Sequence, residues 1–410
     1  MILKTQNSLR GTPLNILLTA LVSLSVFSTD IYLPSLPEMI EVFYTTLSDV
    51  QFTLSSYMVG FAISMLFCGA ISDRYGRRPV VLFGIGLHFV SSLVCLFAPT
   101  IEVLIAARFF QALGGCCGTV LGRVIVRDLY PQNKCVKVIS YMATGMSLSP
   151  ALAPMFGGYL QTWFGWKASF ITLACVSGTI FLICYFFLSE SISSINKEAL
   201  NPKKLISNYG KVLGNRNFLG YTAAITFAWC GYFSFICGSS FVFIDLLKVS
   251  PSTFGMLYGI VVTGYLIGTF VSARFASRFK IKQSVLIGAI FAFTGSTILL
   301  GCAIYTECSI ITIMVPMVVF LIGIGIIMPN CQVAATAPFP HLIGSAASLF
   351  YFIEMMMGAG AGTLVGKSNE ISQMPMVLVN FGSSVLLMIS FLGLIWIKIN
   401  SAETKFVETA

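Results

Sequence analysis

The chain has 410 residues, of which 57% are hydrophobic and only 10% are charged. So few charges exclude a soluble globular protein of this size, since such proteins carry about 25% charged residues. The net charge of +9 does not indicate nucleic-acid binding, because the positive residues fall in short connections between long apolar runs. The twelve cysteines and two histidines lack the spacing of a disulfide framework or a metal site, so we expect no metal and no cofactor.

Twelve apolar runs are long enough to cross a hydrocarbon core of about 30 Å, which takes about 20 helical residues. We therefore expect an all-α integral membrane protein with twelve transmembrane helices. In chain order the runs are Leu14–Leu33, Phe52–Ile71, Val80–Pro99, Val103–Leu121, Val138–Leu160, Ala168–Leu188, Phe218–Phe243, Phe254–Ala276, Val285–Ile304, Ile310–Met328, Ser345–Val365 and Met376–Ile397. The first run is too long for a signal peptide and lacks a small-residue cleavage site, so it is predicted as a span.

The long polar stretch in the middle of the chain separates six runs from six. This pattern predicts an N-terminal six-helix bundle over residues 1–188, a cytoplasmic linker over 189–216 and a C-terminal six-helix bundle over 217–410. The sequence SDRYGRR at 72–78 aligns with SARFASR at 272–278, each after the second span of its half. This short match supports a duplication of one six-helix unit.

The distribution of Lys and Arg predicts the orientation. With the N-terminus inside, the cytoplasmic segments hold 20 of the 24 basic residues and the outer segments hold three, which are Lys167, Lys248 and Lys367. Arg108 is the remaining one and lies within a span. This asymmetry favours a multi-pass protein of the inner (cytoplasmic) membrane with both termini in the cytoplasm.

The connection between the second and third runs carries the most specific pattern in the chain. Over residues 69–78 it reads G-x-x-x-D-R-x-G-R-R, formed by Gly69, Asp73, Arg74, Gly76, Arg77 and Arg78. A basic loop that only fixes the topology is one interpretation. The spacing of the glycines and the acid also resembles the signature loop between helices 2 and 3 of the major facilitator superfamily. The resemblance implies two six-helix bundles (the major facilitator fold) that work by alternating access.

In that family the loop has a gating role at the cytoplasmic side. We expect Arg77 to pair with Asp73 or with Asp128, and the loop to contact the start of helix 11 when that side is closed. The segment 331–344 before helix 11 contains no Lys or Arg. Any attraction for Asp73 there must come from the free amides and the positive dipole end of helix 11, worth about 0.3–2 kcal/mol.

Three ionisable residues lie inside apolar runs, where a charge is costly and marks a candidate functional site. At 1.5 Å per residue, Asp30 is roughly 25 Å and Arg108 roughly 20 Å from the inner edge, so the two are candidates for pairing. Glu354 lies roughly 15 Å in, near the midplane. In the functional interpretation, Asp30 or Glu354 takes and releases a proton, and a cationic or dipolar cargo competes for the same carboxylate. The alternative is a structural ion pair between helices 1 and 4, with Glu354 satisfied by a hydroxyl.

The residues around Arg108 add to the resemblance. Arg108 and Gln111, followed by Gly114 and Gly115, are similar to the helix-4 motif of the drug:proton antiporters in this superfamily. In those proteins the arginine is implicated in proton coupling, which implies the same role for Arg108. The spacing differs from the R-x-x-Q-G pattern of those proteins, because two residues separate Gln111 from the first glycine here.

Helix 5 contains two prolines and a pair of glycines, a composition that bends a helix and permits close helix packing. It resembles the antiporter motif G-x-x-x-G-P-x-x-G-G, with Ala153 in place of one glycine. The residues concerned are Gly145, Pro150, Pro154, Gly157 and Gly158. The resemblance implies export; a helix that is merely kinked is the alternative.

Segments 29–37, 126–131 and 150–154 together resemble the bicyclomycin-resistance/CflA group of drug:proton antiporters. This resemblance implies a proton-coupled exporter of amphipathic small molecules that works as a monomer, with protons and a small-molecule substrate as its partners. A dedicated exporter or importer of one metabolite or siderophore fits the same scaffold. No catalytic constellation and no phosphate-binding loop is present in the sequence, so neither an enzyme nor an ATP-driven pump is expected.

Overall fold

The computed structural model describes residues 9, 11–192, 194–275, 278–367 and 372–396, apart from a few side chains. The basic residues Lys4, Arg10, Lys398 and Lys405, and the ends of the eighth and twelfth predicted runs (Ala276 and Ile397), lie outside these ranges. Throughout the described part, the regular secondary structure is helical. The prediction of an all-α membrane protein is confirmed.

The helices follow the order of the predicted runs, with two short additional helices, one after the first run and one in the polar stretch. They are α1 Thr12–Asp30, α2 Leu36–Val42, α3 Leu47–Tyr75, α4 Arg77–Leu96, α5 Ile101–Leu129, α6 Gln132–Phe164, α7 Lys167–Phe187, α8 Pro202–Leu213, α9 Arg216–Ser240, α10 Pro251–Phe275, α11 Ile281–Tyr305, α12 Ile310–Thr336, α13 Ile343–Gly366 and α14 Met374–Ser390. A 3₁₀ turn at Leu33–Ser35 joins α1 to α2, and π-helical turns at Phe241–Leu246 and Phe391–Trp396 extend α9 and α14.

Eleven of the described helical stretches are long and apolar enough to cross a membrane. The fifth predicted run lies inside α6, which has 33 residues but is not one of these eleven. Its prolines, glycines and serines lower the mean hydropathy of the helix below that of the other spans. The length of α6 nevertheless exceeds what a bilayer requires.

The first span differs from the predicted one at its outer end. The prediction ended the span at Leu33, but the helical path continues through the 3₁₀ turn and α2 as far as Val42. The α-helix itself stops at Asp30. Pro34 explains this interruption, because proline has no N–H to donate to the helical hydrogen-bond ladder. Asp30 therefore lies at a break in the helix within the span.

The chain forms two compact units. One comprises Met1–Leu205 with Val249–Gly259, and the other comprises Ile206–Lys248 with Ile260–Ala410. In the first unit, α5 packs between α3 and α4, α7 packs on α4, and α1 packs on α6. In the second unit, α11 packs on α12, and α9 packs on α13 and α14. The predicted domain boundaries at residues 188 and 217 stay a prediction.

Candidate functional site

Arg108 of α5 is the centre of a buried polar cluster in the first unit. Its side chain is completely buried. Nη1 donates to Gln111 Oε1 at 2.6 Å and to the Ser28 carbonyl oxygen at 3.1 Å. The guanidinium carbon lies 4.3 Å from the ring centre of Tyr57 and 4.8 Å from that of Tyr32. Two oxygens and two aromatic faces thus stabilise this charge.

Asp30 lies close to this cluster without forming an ion pair with Arg108. Its exposed fraction is 4%, and the charge of Arg108 acts on it through space. In the described ranges, ion pairs within 4 Å join Arg77 to Asp73 and Asp128, and Lys204 to Glu198. The pairing suggested by the similar depths of Asp30 and Arg108 is therefore not formed. The α1 helix ends at Asp30. Arg108 donates a hydrogen bond to the Ser28 carbonyl instead of pairing with the Asp30 carboxylate.

His88 of α4 belongs to the same cluster, although no motif of the sequence singled it out. Its ring is completely buried, and Nε2 lies 2.8 Å from Ser28 Oγ. The Ser28 hydroxyl donates to the Leu24 carbonyl at 2.7 Å. Nε2 must therefore carry the ring proton and donate to Ser28, which leaves Nδ1 as an acceptor. Nδ1 is buried and has no hydrogen-bond partner in the described part of the chain.

A second path links His88 to Arg108 through side chains of α4 and α5. Gln111 Nε2 donates to Ser92 Oγ at 2.8 Å, and Ser92 Oγ donates to the His88 carbonyl at 2.7 Å. Gly114 permits this contact, because a Cβ there would overlap the Gly84 carbonyl oxygen and lie 2.6 Å from His88 N. The glycines that follow Gln111 thus bring α4 and α5 together where the polar groups meet.

Glu354 of α13 is the buried charge of the second unit. Its side chain has no exposed surface, and neither carboxyl oxygen has a hydrogen-bond partner among the described residues. The neighbouring hydroxyl considered in the alternative interpretation is not found. Cys230 of α9 and Cys331 of α12 are close enough to interact with it electrostatically. Glu354 is thus a carboxyl group held among three helices with no compensating contact.

The signature loop forms a compact charged cluster. Arg77 is 9% exposed and contacts both acids named from the sequence. Nη1 lies 2.5 Å from Asp73 Oδ1, and Nε lies 3.1 Å from Asp128 Oδ2. Nη1 also donates to Ser72 Oγ at 2.6 Å. One guanidinium therefore joins the end of α3 to α5.

Glu190, which the sequence analysis missed, completes this cluster. Its carboxylate accepts hydrogen bonds from four backbone amides, those of Arg77 (2.9 Å), Arg78 (3.1 Å), Ser191 (2.9 Å) and Ile192 (3.1 Å). Gly76 has φ +101°, and a Cβ there would lie 2.6 Å from Glu190 Oε2. The conformation and the approach of Glu190 both require glycine at this position. In the sequence, the only feature that could have indicated this role of Glu190 is its position directly after the sixth span.

The remaining residues of the loop have separate surroundings. Arg78 Nη2 donates to the Tyr185 carbonyl at 2.6 Å. Arg74 is exposed and lies over the ring of Tyr75 at 5.5 Å. A Cβ on Gly69 would meet nothing within 4 Å, so no packing contact in the described chain requires glycine there.

The internal repeat has a parallel in the hydrogen bonds of the two units. Ser72 accepts from Arg77, whereas Ser272, 200 residues later, accepts from Asn330 Nδ2 at 2.8 Å. The repeated serine thus receives a side-chain donor in both units, which agrees with a duplication.

Helix α6 lies against α1 at two of the glycines of the motif. A Cβ on Gly145 would overlap Thr19, and one on Gly157 would overlap the Ile31 carbonyl next to Asp30. Gly158 contacts Pro251, which belongs to the same unit. Pro150 and Pro154 both lie inside the helix. The helix-5 motif therefore allows α6 to approach the backbone beside Asp30.

Buried ionisable side chains inside bundles of membrane-spanning helices are typical of polytopic transport proteins. Residues 18–363 match the model of the Major Facilitator Superfamily. The chain belongs to this superfamily, as the signature loop predicted. Its family and fold are those of transporters rather than enzymes.

Individual relatives agree with this assignment. The uncharacterized MFS-type transporter YdgK of Bacillus subtilis strain 168 is 30% identical over 380 residues, covering 92% of this chain and 94% of the relative. The bicyclomycin resistance protein homolog of Haemophilus influenzae is 26% identical, covering 93% and 96%. The chain therefore resembles the bicyclomycin-resistance group, as the motifs in the first half of its sequence predicted.

A solved structure supports the fold. The crystal structure of a D-xylose-proton symporter matches with a TM-score of 0.70 at 16% identity, covering 94% of this chain and 97% of the symporter.

Proposed function

We propose that this transporter is a proton-coupled antiporter that exports amphipathic organic molecules across the inner (cytoplasmic) membrane, with both termini in the cytoplasm. It acts on small molecules and protons, as a monomer. The observation that carries the proposal is the burial of Glu354 without a partner for either oxygen. A buried carboxylate with no counter-charge costs several kcal/mol. The side chain therefore carries a proton, or meets a cation, whenever it is enclosed in this way.

Asp30 is the buried acid of the first unit, and unlike Glu354 it lies near a positive charge. It is buried at the end of α1, under the influence of the permanent positive charge of Arg108. Gln111 and Ser28 fix the position of that charge. A carboxylate that exchanges a proton for a cargo cannot hold both at once. This exclusion is the simplest physical basis for antiport.

The signature loop serves in this proposal as a gate. Arg77 holds Asp73 in position, and Glu190 binds the free amides at the start of α4. Asp73 is partly exposed, with a side-chain exposure of 44%. We expect the loop to stabilise the state in which the cytoplasmic side is closed, and its contacts to break during turnover.

The test is the accumulation of a panel of fluorescent cationic and neutral compounds in cells that express the protein, with and without a proton uncoupler. We expect lower accumulation than in control cells, and loss of this difference when the uncoupler is added. Higher accumulation in expressing cells would indicate an importer. No response from any compound would indicate a carrier for one metabolite. Either result overturns the proposal.

A further inference from the structure

Arg123 of α5 carries a positive charge that no acid of the described chain balances by an ion pair. It lies six residues before the end of the helix at Leu129. Its Nη2 donates to Met146 Sδ of α6 at 3.1 Å. A thioether sulfur is a weak acceptor, and an arginine side chain stays charged at every physiological pH. The sulfur therefore compensates little of this charge.

The acids nearest in the fold to this end of α5 are engaged elsewhere. Asp73 and Asp128 both pair with Arg77. Glu190 is bound by the backbone amides at the start of α4. A buried or half-buried charge in a span is costly unless it is paired. The counter-charge of Arg123 must therefore come from a molecule that binds there.

Two serine hydroxyls on the neighbouring helices α1 and α6 also lack partners. Ser23 Oγ and Ser149 Oγ are buried, and neither has a hydrogen-bond partner among the residues described. Ser149 is 6% exposed. Ser147 on the same helix donates to the Ala143 carbonyl, a bond that is open to helical serines in general. Because buried polar groups are almost always paired, two unused hydroxyls indicate a ligand.

The packing of α6 on α1 places these two hydroxyls opposite each other. Two glycine contacts between the helices have the same register, Gly145 on Thr19 and Gly157 on Ile31. Each pair is 126 positions apart in the sequence. The same register pairs Ser23 with Ser149, one turn beyond the first contact. A Cβ on Gly145 would also lie 3.5 Å from Ser23 Oγ.

Arg123 lies at the same level of the bundle. A Cβ on Gly122, the residue before Arg123, would lie 2.6 Å from a methyl carbon of Val22, the residue before Ser23. The guanidinium contacts Met146, which follows the glycine of α6 that packs beside Ser23. One cation and two hydroxyls from three helices of the first unit therefore converge.

We propose that Arg123, Ser23 and Ser149 form a binding site for the acidic group of an amphipathic cargo, a carboxylate in the simplest case. The guanidinium and the two hydroxyls can all donate, and the two oxygens of a carboxylate can accept from each of them. A metal cation does not fit, because the charge of Arg123 repels it. Met142 and Met146 belong to the apolar core beside the site and offer an adaptable surface to the rest of the molecule.

This inference rests on the proposed function and extends the class of cargo to molecules that carry a carboxylate. Arg123 is partly exposed, so the acidic group can reach the guanidinium without a rearrangement of the helices. Ser23 and Ser149 then hold the oxygens on the buried side.

The test compares two fluorescent probes of equal size, N-dansyl-leucine and the uncharged N-dansyl-leucinamide, with the purified full-length protein in detergent. We expect the wild type to bind the acid about tenfold more tightly than the amide. Arg123→Gln should bind both probes with equal affinity. Arg127→Gln, at an exposed residue one turn further along α5, is the matched control and should keep the preference. Equal affinities in the wild type, or an undiminished preference in Arg123→Gln, would overturn the inference.

A second variant keeps the test decisive if Arg123→Gln does not fold. Ser149→Ala retains the charge and removes one donor, so it should weaken binding of the acid several-fold and leave the amide unchanged. Ser147→Ala should bind both probes like the wild type, because the Ser147 hydroxyl is paired within its helix. A hydroxyl that is unpaired and has no ligand would behave differently. Its removal would raise the melting temperature without changing the affinity for the acid, and that result would overturn the site.

The headgroup of an anionic lipid offers similar chemistry to a cargo carboxylate. Phosphatidylglycerol added to the micelles should therefore be compared with phosphatidylcholine as a competitor of the acid probe. We expect the two lipids to have equal effects. Displacement by phosphatidylglycerol alone would assign the site to a lipid and overturn the inference.

Transport separates this inference from the proposed function. Uncoupler-sensitive efflux by the wild type together with equal affinities for the two probes would reject the site and keep the antiporter. Arg123-dependent binding of the acid without any uncoupler-sensitive efflux would keep the site and reject the antiporter.

Discussion

The guanidinium carbon of Arg108 lies 4.3 Å from the ring centre of Tyr57, and the charge has no carboxylate within ion-pair distance in the described chain. A buried cation is here held by aromatic faces and by the oxygens of Gln111 and Ser28. Asp30, the nearby acid, is thus not held by Arg108 in an ion pair, as the proposed exchange of a proton for a cargo requires. A locked ion pair between the two would have served only to join helices.

Replacing Arg108 by Lys should lower export although the charge is kept. Lysine cannot reproduce the planar, stacked guanidinium or its fixed set of donors. Hydrogen bonds to charged groups contribute about 1.5–3 kcal/mol, so the thermal melting temperature should fall as well. Arg216→Lys, at an exposed residue, is the control and should change neither quantity. Normal export by Arg108→Lys would show that only the charge matters.

Replacing His88 by Leu should lower both the melting temperature and export. The change removes the hydrogen bond to Ser28, worth about 1 kcal/mol, and loosens the segment that leads to Asp30. His88→Gln keeps an N–H donor of similar reach and should retain most of the activity. The second histidine gives a control, since His341 is exposed. If His88→Leu and His341→Leu behave alike, the ring has no role in positioning the cluster.

Glu190→Gln should destabilise the signature loop. The carboxylate accepts four backbone N–H groups, three at Oε1 and that of Arg78 at Oε2. An amide has one oxygen to accept and turns an N–H₂ group toward at least one of these donors. Leaving a buried donor unpaired costs about 1–3 kcal/mol. The melting temperature and the rate of export should both fall.

Glu198→Gln is the matched control for that variant. Its carboxylate is exposed, and the hydrogen bond and charge of Lys204 lower the pKa of Glu198. Exposed ion pairs contribute little to stability. Equal melting temperatures for the two variants would contradict the role given to Glu190.

Gly157→Ala should impair folding or export, because the new methyl group would overlap the Ile31 carbonyl beside Asp30. Gly301→Ala in α11 is the comparison. A Cβ on Gly301 meets nothing within 4 Å, and alanine favours a helix over glycine by about 1 kcal/mol. We expect opposite changes in melting temperature for the two variants. A stabilising Gly157→Ala would show that α6 does not need its close approach to α1.

The fold could be predicted because a bilayer imposes simple rules on the sequence. Apolar runs of sufficient length specify the spans, and the spacing of Gly76, Asp73 and Arg77 identifies the loop between two of them. The break after Asp30 was missed because the predicted run was treated as one regular helix, although Pro34 interrupts it. Helix α6 extends beyond its predicted run on both sides, since hydropathy alone does not mark where a helix ends.

The candidate site was predictable only where a charge stands out from its surroundings. Asp30, Arg108 and Glu354 are conspicuous as charges inside apolar runs. His88 and Glu190 make contacts with residues distant in the chain, Ser28 and Gly76, and their local sequence is ordinary. The contacts of Arg108 likewise depend on the rings of Tyr32 and Tyr57, which no local pattern assigns to it.

The central claim is the exchange of cargo for protons at the buried acids. The most direct measurement is the pH change inside proteoliposomes that contain the purified protein, a pH-sensitive dye and no initial gradient. After addition of an exported compound on one side, we expect proton movement in the opposite direction, abolished in Asp30→Asn or in Glu354→Gln. Cargo movement without any proton movement, or undiminished proton movement in both variants, would contradict it.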